Sequence, residues 1–394
     1  MKRAESYDEI KPLIALCKAG RLFDVQEWIA AGKPVNPPPP PEKGARPRSP
    51  LQYAINIGFH SLVQVLLEGG AEIEASWKYN TLSHALQEHR FDIVQLLVKH
   101  GADPKTVDMY DVFHSWEPAI MEYFIELGAD VETGNPLAQA FCSRIRTALR
   151  IFKKYKDRFP GFQDQLNIAL RYHCKEGNEK WIALCLWAGA DPYAPGPGAP
   201  EESDDEDGGI SALEYAALYG HFEIFNMKQV RLDPGNPVLI SAIRYAHGEN
   251  ASKLLVDLLK KGVNPNDQPN GGCSAIQSLL SGLEFSYDIF SREKRKNLDT
   301  KEAREKLKMI HILAQYGGKW APKEDGEVAH ARRSLLRMDS DYTVEFVWIM
   351  SKYQGCRRND LDALLGTPSI RKHVRSSLDR IADLLSNLAH DGKS

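Results

Sequence analysis

The chain has 394 residues, 43% of them hydrophobic and 26% charged, with a formal net charge of -3. That apolar fraction supports a sizeable core and excludes wholesale disorder, and the near-balanced charge gives no polyelectrolyte signal for nucleic acid. No apolar run approaches the roughly 18 residues of a membrane span. The first residues, MKRAESYDEIKPL, place acidic groups where a secretory leader would be apolar. The six cysteines lack the regular spacing of a disulfide framework. These features lead us to expect a soluble, cytoplasmic chain with reduced thiols.

In chain order, one pattern recurs: an apolar helical stripe that ends on a glycine triplet. A first capping unit fills 1–36 and ends in WIAAGKPVN, Trp28 to Asn36. A proline-rich loop, 37–48, follows it; five consecutive prolines favour polyproline II, and Pro38, Pro41 and Lys43 match a PxxPx[KR] pattern, although a stiff exposed loop is the better reading of them. Within 49–160 the endings are LLEGGAE from Leu66, LLVKHGADP from Leu96 and FIELGAD from Phe124. LCLWAGADP from Leu184 closes 161–194, and LLKKGVNPN from Leu258 and a faint LAQYGGK from Leu313 fall in 210–320. Glycine just past a helix supplies its left-handed cap, and Asp-Pro or Asn-Pro then forces an extended turn. Each unit opens upstream with a capping serine, as in Ser49-Pro50-Leu51 and Ser211-Ala212-Leu213. A tight turn such as Asn56-Ile57-Gly58-Phe59 or Leu218-Tyr219-Gly220-His221 separates its two helices.

This helix, turn, helix, loop unit resembles the ankyrin repeat, whose period is roughly 33 residues and whose start reads T-P-L-H-x-A. The likeness is most specific over 48–104 and 163–266. The histidine of the family's start motif is replaced by Gln52, Ser83 and Glu214, which implies differently stabilised units. The expected fold class is all-α: a helix-turn-helix solenoid of about 9–11 degenerate repeats. Starts are read at 9, 49, 80, 109, 135, 165, 211, 237, 273, 327 and 359. The region 321–394 reads as degenerate repeats with a helical C-terminal cap or as a separate helical domain. Leu361, Leu364, Leu365, Leu378, Ile381, Leu384, Leu385 and Leu388 carry its spacing.

Two further segments break the rhythm. The acidic loop 195–209 carries six carboxylates between Glu201 and Asp207, a composition that resists packing. Ser203, Asp205, Asp207, Gly208, Ile210 and Glu214 also fit the register of an EF-hand calcium loop, with serine at its first position and no entering helix. The charged insertion 282–303 holds Arg292-Glu293-Lys294-Arg295-Lys296, and basic residues continue to 308. A second basic stretch is Arg144, Arg146, Arg150, Lys153, Lys154, Lys156 and Arg158, opposite an apolar stripe of Ile145, Ala148, Leu149, Phe152 and Phe159. It reads as the solvated face of an amphipathic helix, or as a patch for an acidic partner, RNA or anionic headgroups.

No Walker loop, H-E-x-x-H or G-x-S-x-G occurs, so no catalytic residue, metal site or cofactor is expected. His173, Cys174 and Cys185 do not assemble a tetrahedral ligand set, and the two cysteines suit an inter-helix core. The resemblance implies a non-enzymatic protein-binding role through the first helices and loop tips. On the first helices Tyr53, Asn56, Gln87, Tyr215 and Tyr219 are the expected contacts. On the loops they are Trp77, Tyr79, Tyr110 and Tyr193, aromatics of the kind enriched in binding hot spots.

Overall fold

The computed structural model describes residues 3–39, 48–73, 81–200, 209–248, 250–268, 272–285, 301–323, 325–337 and 340–366, with scattered positions up to 379. Trp77, Tyr79, Pro41, Lys43 and most of the acidic and charged insertions lie outside the described residues, as do Leu378, Ile381, Leu384, Leu385 and Leu388. Among the described residues there are twenty α-helices, two short 3-10 segments and no strand beyond one isolated bridge between Arg3 and Asn36. The chain is an all-α helical repeat, and it divides into two compact units, Met1–Ala169 and Leu170–Ser394.

In the first unit the helices come in antiparallel pairs. These are α1 (Tyr7–Lys18) with α2 (Leu22–Ala30), α3 (Pro50–Asn56) with α4 (His60–Glu68) and α5 (Thr81–Gln87) with α6 (Phe91–Lys99). They are followed by α7 (Met109–His114) with α8 (Pro118–Glu126) and α9 (Pro136–Cys142) with α10 (Ala148–Tyr155). First helices pack on first helices in the series α1, α3, α5, α7, α9; second helices do so through α2, α4 and α6, and α8 packs on α10. The sequence pattern explains this two-row stack. The second helices carry two adjacent apolar pairs four residues apart: Leu62, Val63, Leu66 and Leu67 in α4, and Ile120, Met121, Phe124 and Ile125 in α8. All eight are buried, and each fully buried side chain of this size contributes roughly 2 kcal/mol of hydrophobic free energy. No single pair could bury both faces alone, so the neighbours supply the rest of the core.

The division between units falls inside α11 (Gly161–Lys175). The second unit continues with α12 (Glu179–Ala188), α13 (Ala212–Leu218), α14 (Val238–Tyr245) with α15 (Ala251–Lys260), and α16 (Ala275–Phe285) with α17 (Lys301–Gln315). It closes with α18 (Asp325–Arg337), α19 (Ser340–Lys352) and α20 (Arg358–Leu365). The same two rows recur: α13, α14, α16, α18 and α20 pack in series, as do α15, α17 and α19. The stacking thus runs on past residue 320. Trp320 anchors it: its ring is fully buried edge-on to Phe346 at 5.5 Å, and its indole N–H donates to Gln277 Oε1 at 2.6 Å.

The helix ends follow from local chemistry. Gly70, Gly101, Gly128, Gly189 and Gly262 all hold φ between +83° and +106°. The next residue then donates its N–H to the carbonyl five residues back, as in Ala102 to Leu97 and Ala190 to Cys185, both at 3.0 Å. This is the Schellman closure, and burial of Ala102, Ala129, Ala190 and Val263 supplies its apolar contact. The aspartate that follows turns the chain: Asp130 accepts from the N–H groups of Glu132 and Thr133.

Two local expectations are corrected. The basic helix expected from Arg144 to Phe159 is α10 alone, because Arg144 takes a left-handed turn (φ +64°) and Ile145 lies before the helix. The unit opening at Ser211 lacks a second α-helix and has only a five-residue 3-10 segment, Phe222–Asn226. Ile224 and Phe225 supply one buried apolar pair, but Lys228 and Gln229 stand where a second pair would have to follow.

Candidate protein-binding surface

The first helices of both units are stitched at their amino ends. Ser49 and Ser211 each form a capping box. The hydroxyl accepts from the N–H of Gln52 or Glu214, and that side chain accepts from the serine N–H at 3.0 or 2.8 Å. The two residues that stand in place of the family's histidine therefore cap helices. Glu214 has a second task, since its other oxygen accepts the Ser241 hydroxyl of α14 at 2.5 Å. Ser83, the third replacement, is buried, and its hydroxyl meets no hydrogen-bond partner among the described residues.

These caps fix which side chains face outward. In α3, Tyr53 is half-buried beneath the Lys18 ammonium, 4.5 Å from its ring centre. Asn56 is absorbed by its neighbours: with its amide nitrogen donating to the Gln52 carbonyl (3.0 Å) and to His84 Nε2, its oxygen accepts from Arg48 at 2.7 Å. An accepting Nε2 requires a neutral imidazole, and burial indeed holds the His84 pKa below its ordinary value, helped by the Arg48 charge. In α5, Gln87 is exposed and reaches Asp111 of α7 at 3.2 Å. Tyr110 is 43% exposed and lies on the His114 ring, with centroids 3.9 Å apart.

In the second unit Tyr219 is 46% exposed, with Lys175 over its ring at 5.6 Å. Tyr215 is half-buried and packs so closely on Gly198 that a Cβ there would lie 2.7 Å from its phenol. Tyr193 is placed differently from expectation. Its hydroxyl donates to the Arg231 carbonyl at 3.2 Å and accepts from the Asp233 N–H at 2.7 Å, so it bridges successive loops. Asn36 and Asn266 do the same work elsewhere, one clasping Gly70 and Glu72, the other Gly317 and Lys319. His84, Asp111 and His114 share the exposed row of α3, α5 and α7 but were not singled out in the sequence. Their signal was register: placing the left-handed turn residues Gly58, His89 and Trp116 in line sets His84 and Asp111 at the position of Tyr53.

The family model for ankyrin repeats matches residues 13–108, with three copies. Residues 13–108 are ankyrin repeats. No curated protein matches the chain. Ankyrin repeats are in general protein–protein interaction modules, and the family is typically non-enzymatic.

The other sequence candidates fare unequally around this repeat array. Of the basic residues near α10, Arg150 and Lys154 both pair with Glu122 of α8, at 3.4 and 2.8 Å, and Arg158 pairs with Glu126 at 3.1 Å. Hydrogen bonds from Tyr155 and Arg158 hold the Glu126 carboxyl below its ordinary pKa. Toward 308, Lys306 donates to the Gly282 carbonyl at 2.7 Å, and Lys308 pairs with Glu305 at 3.5 Å; Arg292 to Lys296 lie outside the described residues. Ser203, Asp205, Asp207 and Gly208 of the calcium register also lie outside them, residues 192–200 form no entering helix, and both oxygens of Glu214 are engaged as described. Cys174 and Cys185 are buried core thiols, and burial raises the pKa of both, which favours the protonated thiol. Among the described residues no helix is long and apolar enough to cross a membrane, and no group of three or more His, Cys, Asp or Glu could hold a metal ion.

Proposed function

We propose that this chain binds another protein across its first-helix face, and that binding is its activity as an intracellular scaffold, inhibitor or adaptor. The observation that carries the reading is the row on α3, α5 and α7. Three first helices packed side by side present Gln87 and Tyr110 exposed and Tyr53 and His114 half-buried, on a frame fixed by helix caps and Schellman closures. Rigid aromatic side chains on a rigid frame lose little entropy on binding, which is why tyrosine is enriched in hot spots. Tyr219 extends the same reading to the second unit, whereas Asn56 and Tyr193 serve the frame.

Site-specific photo-crosslinking tests this. A photoreactive residue at Tyr110 or Gln87 should capture a partner from cell extract, while one at Lys99 on a second helix should not. Tyr110→Ala should keep the helical circular-dichroism spectrum and weaken the captured complex by at least about 1 kcal/mol. Capture from Lys99 alone, or affinity unchanged in Tyr53→Ala and Tyr110→Ala together, would remove this face from the binding site.

A further inference from the structure

The outer side of α10 presents a second surface. The helix buries Ala148, Ile151, Phe152 and Tyr155, which turns Arg150, Lys153 and Lys154 outward. With Arg146 and the half-buried Leu149 they line an open depression of about 520 Å³: four cations around one apolar side chain. The carboxylates that face it come from α8. Glu122 serves Arg150 and Lys154, and Glu126 serves Arg158. Arg144 and Arg146 are exposed and have no carboxylate partner among the described residues. The local charge is therefore only partly balanced.

The turn that feeds this helix is held against its own preference. Arg144 takes φ +64° and Trp116, at the equivalent turn of the preceding repeat, takes φ +63°. Glycine occupies that turn at Gly20 and Gly58 with the same φ. Side chains resist the left-handed region, so a bulky Trp116 that is also 52% exposed is a backbone cost without a compensating burial in the fold.

We propose that the α10 depression docks an acidic segment of a partner protein, with carboxylates among the lining cations Arg146, Arg150, Lys153 and Lys154 and an apolar side chain on Leu149. This surface belongs to the second-helix row and is separate from the first-helix face. Arginine forks suit carboxylates in bidentate pairs, and the Leu149 floor gives a peptide side chain an apolar seat. A nucleic-acid backbone fits less well. Glu122 and Glu126 interrupt the cations, the patch is compact, and a continuous phosphate track would meet both carboxylates.

Fluorescence anisotropy on the full chain tests the assignment, with a fluorescein-labelled peptide of alternating Glu and Asp around one Leu, and an oligothymidylate of equal charge as the rival probe. The peptide should bind saturably and more tightly than the oligonucleotide. Arg146→Glu with Lys153→Glu should weaken it by roughly tenfold or more, and Lys99→Glu should not change it. Glu122→Gln, which frees Arg150 and Lys154, should strengthen it several-fold. If the reversed pair fails to fold, Arg146→Gln with Lys153→Gln takes its place. No saturable peptide binding, tighter binding of oligothymidylate, or reversal variants that bind like the wild type would each overturn the proposal.

Discussion

Glu214 decides between two readings of the same side chain, and Glu214→Ala separates them. In the folded chain this carboxylate accepts the Ser211 N–H at 2.8 Å and the Ser241 hydroxyl at 2.5 Å, while Ser211 and Ser241 are 0% and 2% exposed. Removing it opens the reciprocal half of a capping box, which costs about 1 kcal/mol. It also strands the Ser241 hydroxyl away from water, which costs about 1–3 kcal/mol. The sum is about 2–4 kcal/mol, read as a lower urea midpoint by far-UV circular dichroism. Ser241→Ala in the same background should recover part of the loss, because the stranded hydroxyl goes with it; the cycle should show a coupling of about 1 kcal/mol or more. A loss under about 0.5 kcal/mol would refute the structural assignment. So would millimolar calcium that raises the wild-type midpoint and leaves the variant unmoved, since that is the behaviour of a twelfth-position calcium ligand.

Three further outcomes are expected. Gln165, buried at 1% exposure, accepts the N–H groups of Leu137 and Ala138 and donates to the Val131 carbonyl; Gln165→Leu strands three buried backbone groups and should cost about 3 kcal/mol in urea unfolding, and a near-neutral result would show that α9 does not depend on this cap. Ser83→Ala should be neutral or stabilise by up to about 1 kcal/mol, because a buried hydroxyl without a partner among the described residues contributes nothing by being kept; a clear loss would reveal a partner. Folding depresses the His84 pKa below 6.5, so the unfolded chain binds more protons there. That contribution to stability is complete above pH 6.5 and is lost as the pH falls toward the folded value. The urea midpoint should therefore drop between about pH 7.5 and about pH 5.5, and His84→Gln should shrink the drop; an equal drop in the variant would place the titration elsewhere.

Much of the fold was legible because its signals close over short distances. The Gly-Ala-Asp endings encode a Schellman closure within seven residues, so Leu97, Gly101 and Ala102 announce the end of α6 without tertiary information. Ser49 and Ser211 reach their capping partners three residues on, and the apolar pairs of α4 and α8 declare the buried face by spacing alone. Even the lost second helix after His221 could be found, in the polar Lys228 and Gln229 where apolar residues were needed. The candidate surface was legible only in part. Tyr219 is exposed at the end of its first helix, and Tyr110 is exposed on α7 instead of on the loop expected for it, yet Tyr193 and Asn56 spend their polar groups on the frame. Local hydrogen bonds belong to one turn of one helix, whose geometry the sequence determines by itself. The partners of Tyr193, Gln165 and Glu122 lie 27 to 40 residues away and meet them only once the repeats have stacked in register, so which groups remain available to a partner was decided by the tertiary structure.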